Sequence, residues 1–214
     1  MNSIKAVIFD MDGVILDSES ISDITWHKAL EEAGLKDDKD AVNKCRGTNL
    51  ADTYAILKEL YGKDFPVEKF MNRSSELFTQ IEFTSGIPLL PYAKEILEYL
   101  KPKYRIALAS STKGATVKRQ LTNAGVIQYF ETITTGDMVT HSKPDPEIYL
   151  LACKSLGLKP EECAAIEDSP NGIKSASAAG LKTIMVPDKI QPTEELMPLI
   201  WKVCYGLKEV ENVL

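Results

Sequence analysis

The sequence predicts an α/β fold, a doubly wound parallel sheet with a small all-helical block inserted after the first strand. Three observations predict it. From residue 86 onward, short apolar runs alternate with helix-length stretches, the rhythm of a parallel sheet. With the opening run Ala6–Phe9, three such runs end in side chains capable of chemistry: Asp10 and Asp12 after Ala6–Phe9, Ser110 after Arg105–Ala109, and Glu167 with Asp168 after Cys163–Ile166. Residues 17–83, by contrast, carry helical spacing with no β-branched run. Open parallel sheets bind ligands beyond the carboxyl ends of their strands, so the three groups should share one edge.

The first strand is a short apolar run, as expected of a strand buried on both faces, and it stops abruptly at Asp10, Asp12 and Gly13. In the helical block, Ser18 or Ser20 can cap a helix carrying Ile21, Ile24, Ala29, Leu30 and Ala33, with Gly34 as its stop. A second helix spans Leu50 to Tyr61 and ends at Gly62; Pro66 opens a third through Phe70, Leu77 and Ile81. Pro91 then starts a helix to about Leu100. The strand Arg105–Ala109 runs into Ser110-Ser111-Thr112, a helix follows to Asn123, and Thr132–Thr135 reads as a short strand. Asp145-Pro146 and Ser169-Pro170 are each an N-cap followed by proline at the first helical position. Those two helices end at Gly157 and Gly180 and flank the strand Cys163–Ile166. Lys182–Val186 is a further strand, and the tail offers a weak one near Trp201–Tyr205 before a short helix.

Composition is that of an ordinary globular chain, 44% apolar and 26% charged over 214 residues, long enough for a sizeable core. A net charge of −6 argues against a nucleic-acid footprint or a polybasic membrane patch. An anionic substrate must therefore be met by local cations. Four scattered cysteines without a Cys-x-x-Cys pair suggest inert, reduced thiols, and two histidines disfavour a zinc enzyme or a histidine-based triad. With no leader and no apolar run of membrane length, the expectation is a cytoplasmic monomer acting on a small molecule.

Asp10, Asp168 and Glu167 can hold Mg²⁺, which takes a few carboxylates and keeps several waters. Lys143 adds a positive charge, and Ser110 a hydroxyl at a helix start whose amides favour anions. Cation, hydroxyl, helix start and metal facing a carboxylate make a phosphoryl site, where alignment and charge neutralisation do most of the work. A carboxylate can then act as nucleophile, forming an aspartyl-phosphate.

Four segments, FDMDGVILDSE (9–19), ALASST (107–112), HSKPDPEIY (141–149) and IEDSPNGI (166–173), closely resemble the motifs of the haloacid dehalogenase superfamily of phosphohydrolases, in the family's order. Within it the chain is most similar to the group of β-phosphoglucomutase and the small sugar-phosphate phosphatases. The resemblance implies that Asp10 is nucleophile and Mg²⁺ ligand. It implies that Asp12 is general acid and then base, and binds the metal through its main-chain carbonyl. Ser110, Lys143 and the amide of Ser111 would hold the phosphoryl oxygens, with Asp168 a direct metal ligand and Glu167 direct or through water. Residues 1–16 and 86–214 would form the core and 17–85 a helical cap. Dehalogenases lack the second aspartate, so Asp12 points to phosphate esters and a phosphatase. The alternatives are a β-phosphoglucomutase and, outside catalysis, a phospho-accepting or phosphometabolite-binding module.

The chain departs from the mutases where they grip a distal phosphate. Ser22 stands where they carry a cap histidine, and Thr48, Asn49 and Leu50 follow Gly47 where they carry an arginine. Arg46, just before that glycine, and Arg73 are the candidate cap contacts to substrate, with solvated helix faces as the alternative for both. This moves the expectation from mutase towards phosphatase, because a bisphosphate needs cationic grips at both ends.

Overall fold

The structure is a computed structural model describing residues 3–36, 40–46, 48 and 50–214; Gly47 and Asn49, which the comparison with the mutases uses, lie outside this set. The chain divides into two units, Met1–Asp17 with Pro88–Leu214, and Ser18–Ile87. The first begins with β1 (Ala6–Phe9), every residue of which is buried.

The second unit is helical: α1 (Ser18–Glu32), α2 (Ala41–Cys45), α3 (Leu50–Tyr61) and α4 (Val67–Ser85). Its core gathers Ala29 and Leu30 from α1, Leu57 from α3, Phe65, and Phe70 and Leu77 from α4. Trp26 packs edge-on against Phe70 with ring centroids 5.1 Å apart, so it belongs to this core. A hydrogen-bonding contact of 3.2 Å between the Thr25 and Ser74 hydroxyls ties α1 to α4. The three expected helices are present, and α2 is an addition. Its five residues are too few for a hydrophobic period to register.

The first unit resumes with α5 (Ala93–Leu100), β2 (Arg105–Ser110), α6 (Gly114–Asn123), β3 (Thr132–Thr135), α7 (Glu147–Ser155), β4 (Cys163–Glu167), α8 (Pro170–Ala178), β5 (Lys182–Met185) and β6 (Lys202–Val203). The strands form one sheet in the order β3-β2-β1-β4-β5-β6, and every pairing is parallel. β1 is thus flanked by the two other strands that end in reactive side chains. One face of the sheet presents Ala6, Ile8, Ala107, Ala109 and Ala165 to Ile148, Tyr149 and Ala152 of α7 and Ala176 of α8. These small side chains let α7 approach closely. By the alternation of strand side chains, Val7, Phe9, Ile106 and Leu108 fill the opposite face. There α5 and α6 lie against β2 and β3.

Several boundaries shift. α5 starts at Ala93 and not at Pro91, because Tyr92 takes a left-handed backbone with φ 69°. Both β2 and β4 run one residue beyond the predicted ends, so the backbones of Ser110 and Glu167 are held in the ladder opposite Thr135 and Met185. Helix α7 begins at Glu147, with Pro146 as the flanking residue and the Asp145 carboxylate accepting the Glu147 amide at 2.9 Å. The weak tail strand contracts to two residues at the sheet edge.

Candidate active site

Asp10 leaves β1 with its amide bonded to the Ile166 carbonyl of β4 (2.9 Å), so its backbone is still part of the sheet. Its carboxylate meets Lys143, delivered by the segment that enters α7. Lys143 Nζ donates to Asp10 Oδ1 (2.6 Å), Glu167 Oε1 (2.7 Å) and the Ala109 carbonyl (3.0 Å). One ammonium thereby joins the ends of β1, β2 and β4, and its side chain is only 8% exposed.

Glu167 is wholly buried. Its Oε1 also accepts the Tyr149 hydroxyl at 2.7 Å, and its Oε2 the Ser169 hydroxyl at 3.2 Å. The carboxyl fills the space over Gly172, where an added Cβ would stand 2.0 Å from it. Gly13 plays the same part for Asp168. It has φ +75°, and a Cβ there would lie 2.3 Å from an Asp168 oxygen. The turn after β1 and the turn after β4 therefore close on each other only because position 13 has no side chain.

Asp12 sits on that first turn, and its Oδ2 accepts the Thr112 hydroxyl at 3.0 Å. Ser110 is buried, and its Oγ accepts the Thr112 amide at 3.1 Å. Ser111 is exposed beside it. Lys143 thus joins Asp10 to Glu167, Thr112 joins Asp12 to Ser110, and Gly13 lets Asp168 approach the first turn.

The electrostatics are those of a site crowded with negative charge. Burial lifts the Asp10 carboxyl; Lys143 opposes the lift, Glu167 and Asp12 add to it, and the pKa is pushed up to about 7. Burial also acts against the Lys143 charge, but Asp10 and Glu167 outweigh it and its pKa is raised. The Tyr149 phenol is pushed up by burial and by Glu167, so it remains a donor. Asp10, Glu167 and Asp168 each bring a carboxylate oxygen within 4.8 Å of the others. Three carboxylates answered by one lysine, all offering oxygen, fit a hard divalent cation. The Asp12 side chain is not part of that trio.

The loop carrying Lys143 has its own fastening. Glu147 accepts the amides of Thr140 (3.0 Å) and His141 (2.8 Å), and Asp145 passes its carbonyl to the Ser175 hydroxyl (2.6 Å). His141 is exposed, with Nδ1 3.2 Å from Glu147. Thr112, Tyr149 and Glu147 were not singled out by sequence reasoning, although all three lie in the quoted motifs.

The two arginines expected to contact substrate, Arg46 and Arg73, lie in the helical unit and are engaged there. Arg46 donates to Glu19 and Asp23 of α1 at 2.7 Å each and is 11% exposed, so it is no surface charge. With Ser22, Trp26 and Cys45 it lines a cavity of about 180 Å³. Arg73 forks onto Glu32 (2.5 and 3.0 Å) and reaches Glu76 at 3.0 Å, on the rim of a larger groove of about 720 Å³ in the same unit.

Comparison with known proteins agrees with this geometry. The profile of the haloacid dehalogenase-like hydrolases matches residues 7–186. A Thermotoga maritima protein named phosphorylated carbohydrates phosphatase is 33% identical over 84% of this chain and 83% of its own. The β-phosphoglucomutase of Bacillus subtilis is 30% identical over 85% of this chain and 83% of its own. Among solved structures, a hydrolase of the family from Deinococcus radiodurans, with phosphate and sodium bound, superposes with a TM-score of 0.82 at 26% identity, covering all of this chain and 96% of that one. A profile match over most of the chain, the six-stranded parallel sheet and the acid–lysine cluster at its edge make this chain a member of the haloacid dehalogenase-like hydrolase family, in its phosphohydrolase group.

Proposed function

We propose that the protein is a Mg²⁺-dependent phosphatase that hydrolyses a small phosphorylated metabolite, a sugar phosphate in the first instance, through an aspartyl-phosphate. One observation carries the reading: Lys143 joins Asp10 and Glu167 at 2.6 and 2.7 Å, at the edge where Asp168 converges on the same two carboxylates. Asp10, Glu167 and Asp168, with the Asp12 carbonyl, would hold the metal, which supplies charge neutralisation for the phosphoryl group. An oxygen of the Asp10 carboxylate attacks phosphorus; the bond to the substrate oxygen breaks, and Asp12 gives that oxygen its proton. Asp12 then takes a proton from water, the water oxygen attacks phosphorus, and the bond to Asp10 breaks to release phosphate. Lys143, Ser110 and the Ser111 amide hold the phosphoryl oxygens through both steps. The likeness to a named carbohydrate phosphatase supports the sugar-phosphate class, and the helical unit is where that choice would be made.

Mutation of Asp10→Asn should lower p-nitrophenyl phosphate hydrolysis by at least about a thousandfold, as removal of a nucleophile does. Hydrolysis at the parent rate by that variant would refute the reading. A second reading, β-phosphoglucomutase, is favoured by the Bacillus subtilis relative. Against it, Arg46 and Arg73 are each already matched by two carboxylates, so a second phosphate would have to displace them. Incubation with β-glucose 1-phosphate and a bisphosphate primer separates the two: net inorganic phosphate is expected, and conversion to the 6-phosphate would reverse the choice.

A further inference from the structure

We propose that Thr112 is a positioning residue for the acid–base group Asp12, holding its carboxyl group in one orientation for proton transfer to the leaving group and from water. The inference rests on the phosphatase reading and adds a residue that the reading does not use. The Thr112 hydroxyl donates to Asp12 Oδ2 at 3.0 Å. Its backbone is pinned on both sides, the amide on Ser110 Oγ and the carbonyl accepting the Gly136 amide, each at 3.1 Å. Gly136 in turn lies so close to this loop that a Cβ there would be 2.0 Å from the Ser111 carbonyl oxygen. Asp137 completes the clamp by accepting the Gly114 amide at 2.8 Å and the Thr135 hydroxyl at 2.7 Å.

A β-branched side chain on so constrained a backbone has few rotamers, so its hydroxyl is aimed and not merely available. With Oδ2 held by Thr112, the plane of the Asp12 carboxyl group is fixed relative to the loop. In the first step the carboxyl group gives its proton to the departing alkoxide as the phosphorus–oxygen bond breaks. In the second it takes a proton from the attacking water. Without the Thr112 hydroxyl the carboxyl can rotate, and both transfers lose alignment. A hydroxyl that only stabilised the loop would affect every substrate alike.

The difference is measurable through kcat/KM, which reports the steps up to transfer of the phosphoryl group to Asp10. A nitrophenolate leaves without a proton, whereas a sugar alkoxide needs one. Thr112→Val and Thr112→Ser would be compared with the parent on p-nitrophenyl phosphate, phenyl phosphate and fructose 1-phosphate, with thermal melts as the check on folding. Thr112→Val should lose about tenfold or more on fructose 1-phosphate, the scale of one lost hydrogen bond to a charged group, an intermediate amount on phenyl phosphate and less than about threefold on p-nitrophenyl phosphate. Thr112→Ser, which keeps the donor, should stay within about threefold of the parent on all three. Equal losses on the three esters, no loss on any, or a serine variant as poor as the valine one would overturn the assignment of Thr112 while leaving the phosphatase reading intact. A parent protein that releases phosphate from none of them would remove the reading itself.

Discussion

At the scale of the residue, Asp10 is the costly member of the site. Its pKa rises from 3.8 towards about 7 in the folded chain, because burial and two neighbouring carboxylates outweigh Lys143. The folded state therefore binds the Asp10 proton more tightly than the unfolded one. The stabilisation that comes from this tighter binding is complete below about pH 4 and lost as pH rises through about 7. Asp10→Asn imitates the protonated acid, so in chelator-treated buffer it should unfold at a higher temperature than the parent at pH 8. The gain is on the order of 4 kcal/mol at about 1.4 kcal/mol per pKa unit, and it should vanish near pH 4. Melts across that range check it; a variant less stable than the parent at pH 8 would contradict the account. Tyr149 makes a narrower prediction. Its hydroxyl shares Glu167 Oε1 with Lys143 in a fully buried setting, so Tyr149→Phe should cost roughly 1–3 kcal/mol, the penalty for a buried acceptor that loses a donor. Urea titration at pH 7 measures that cost directly.

At the scale of the element, the site is as good as the turns that follow β1, β2 and β4. Helix α8 starts over the Glu167 carboxyl with Gly172 in contact, so Gly172→Ala forces either the carboxylate or the helix start to move. Overpacking of that kind costs roughly 1–3 kcal/mol. Here it should also lower phosphate release by more than about tenfold, since Glu167 holds Lys143. A Gly172→Ala protein with parental turnover would mean the helix start yields and the carboxylate does not. The strand ends were legible in the chain because a carboxylate or hydroxyl closing an apolar run has few structural excuses. Their supports were not. Thr112 and Tyr149 read as a turn residue and a helix-face aromatic until folding brings each to a carboxylate on another strand end. Arg46 reads as a surface charge because the two acids that bury it, Glu19 and Asp23, stand one turn apart on α1. The helix α2 that leads into it is too short to show a period.

At the scale of the molecule, the metal should stabilise the fold as well as the reaction. A ligand bound only by the native state at a hundred times its dissociation constant adds about 2.7 kcal/mol. Saturating Mg²⁺ should therefore raise the melting temperature of the parent, and chelation should abolish phosphate release. Asp168→Asn should lose most of the thermal shift; an undiminished shift would place the ion elsewhere. The parallel order of the sheet carries one last consequence. The chemistry is divided among three adjacent strands, each contributing its terminal or next side chain, and a slip of any one by a single residue moves its group by about 3.3 Å. That distance exceeds the tolerance of every contact in the cluster. Turnover in a refolded or redesigned sample is thus a register gauge, silent for a misaligned sheet that spectroscopy would pass as native.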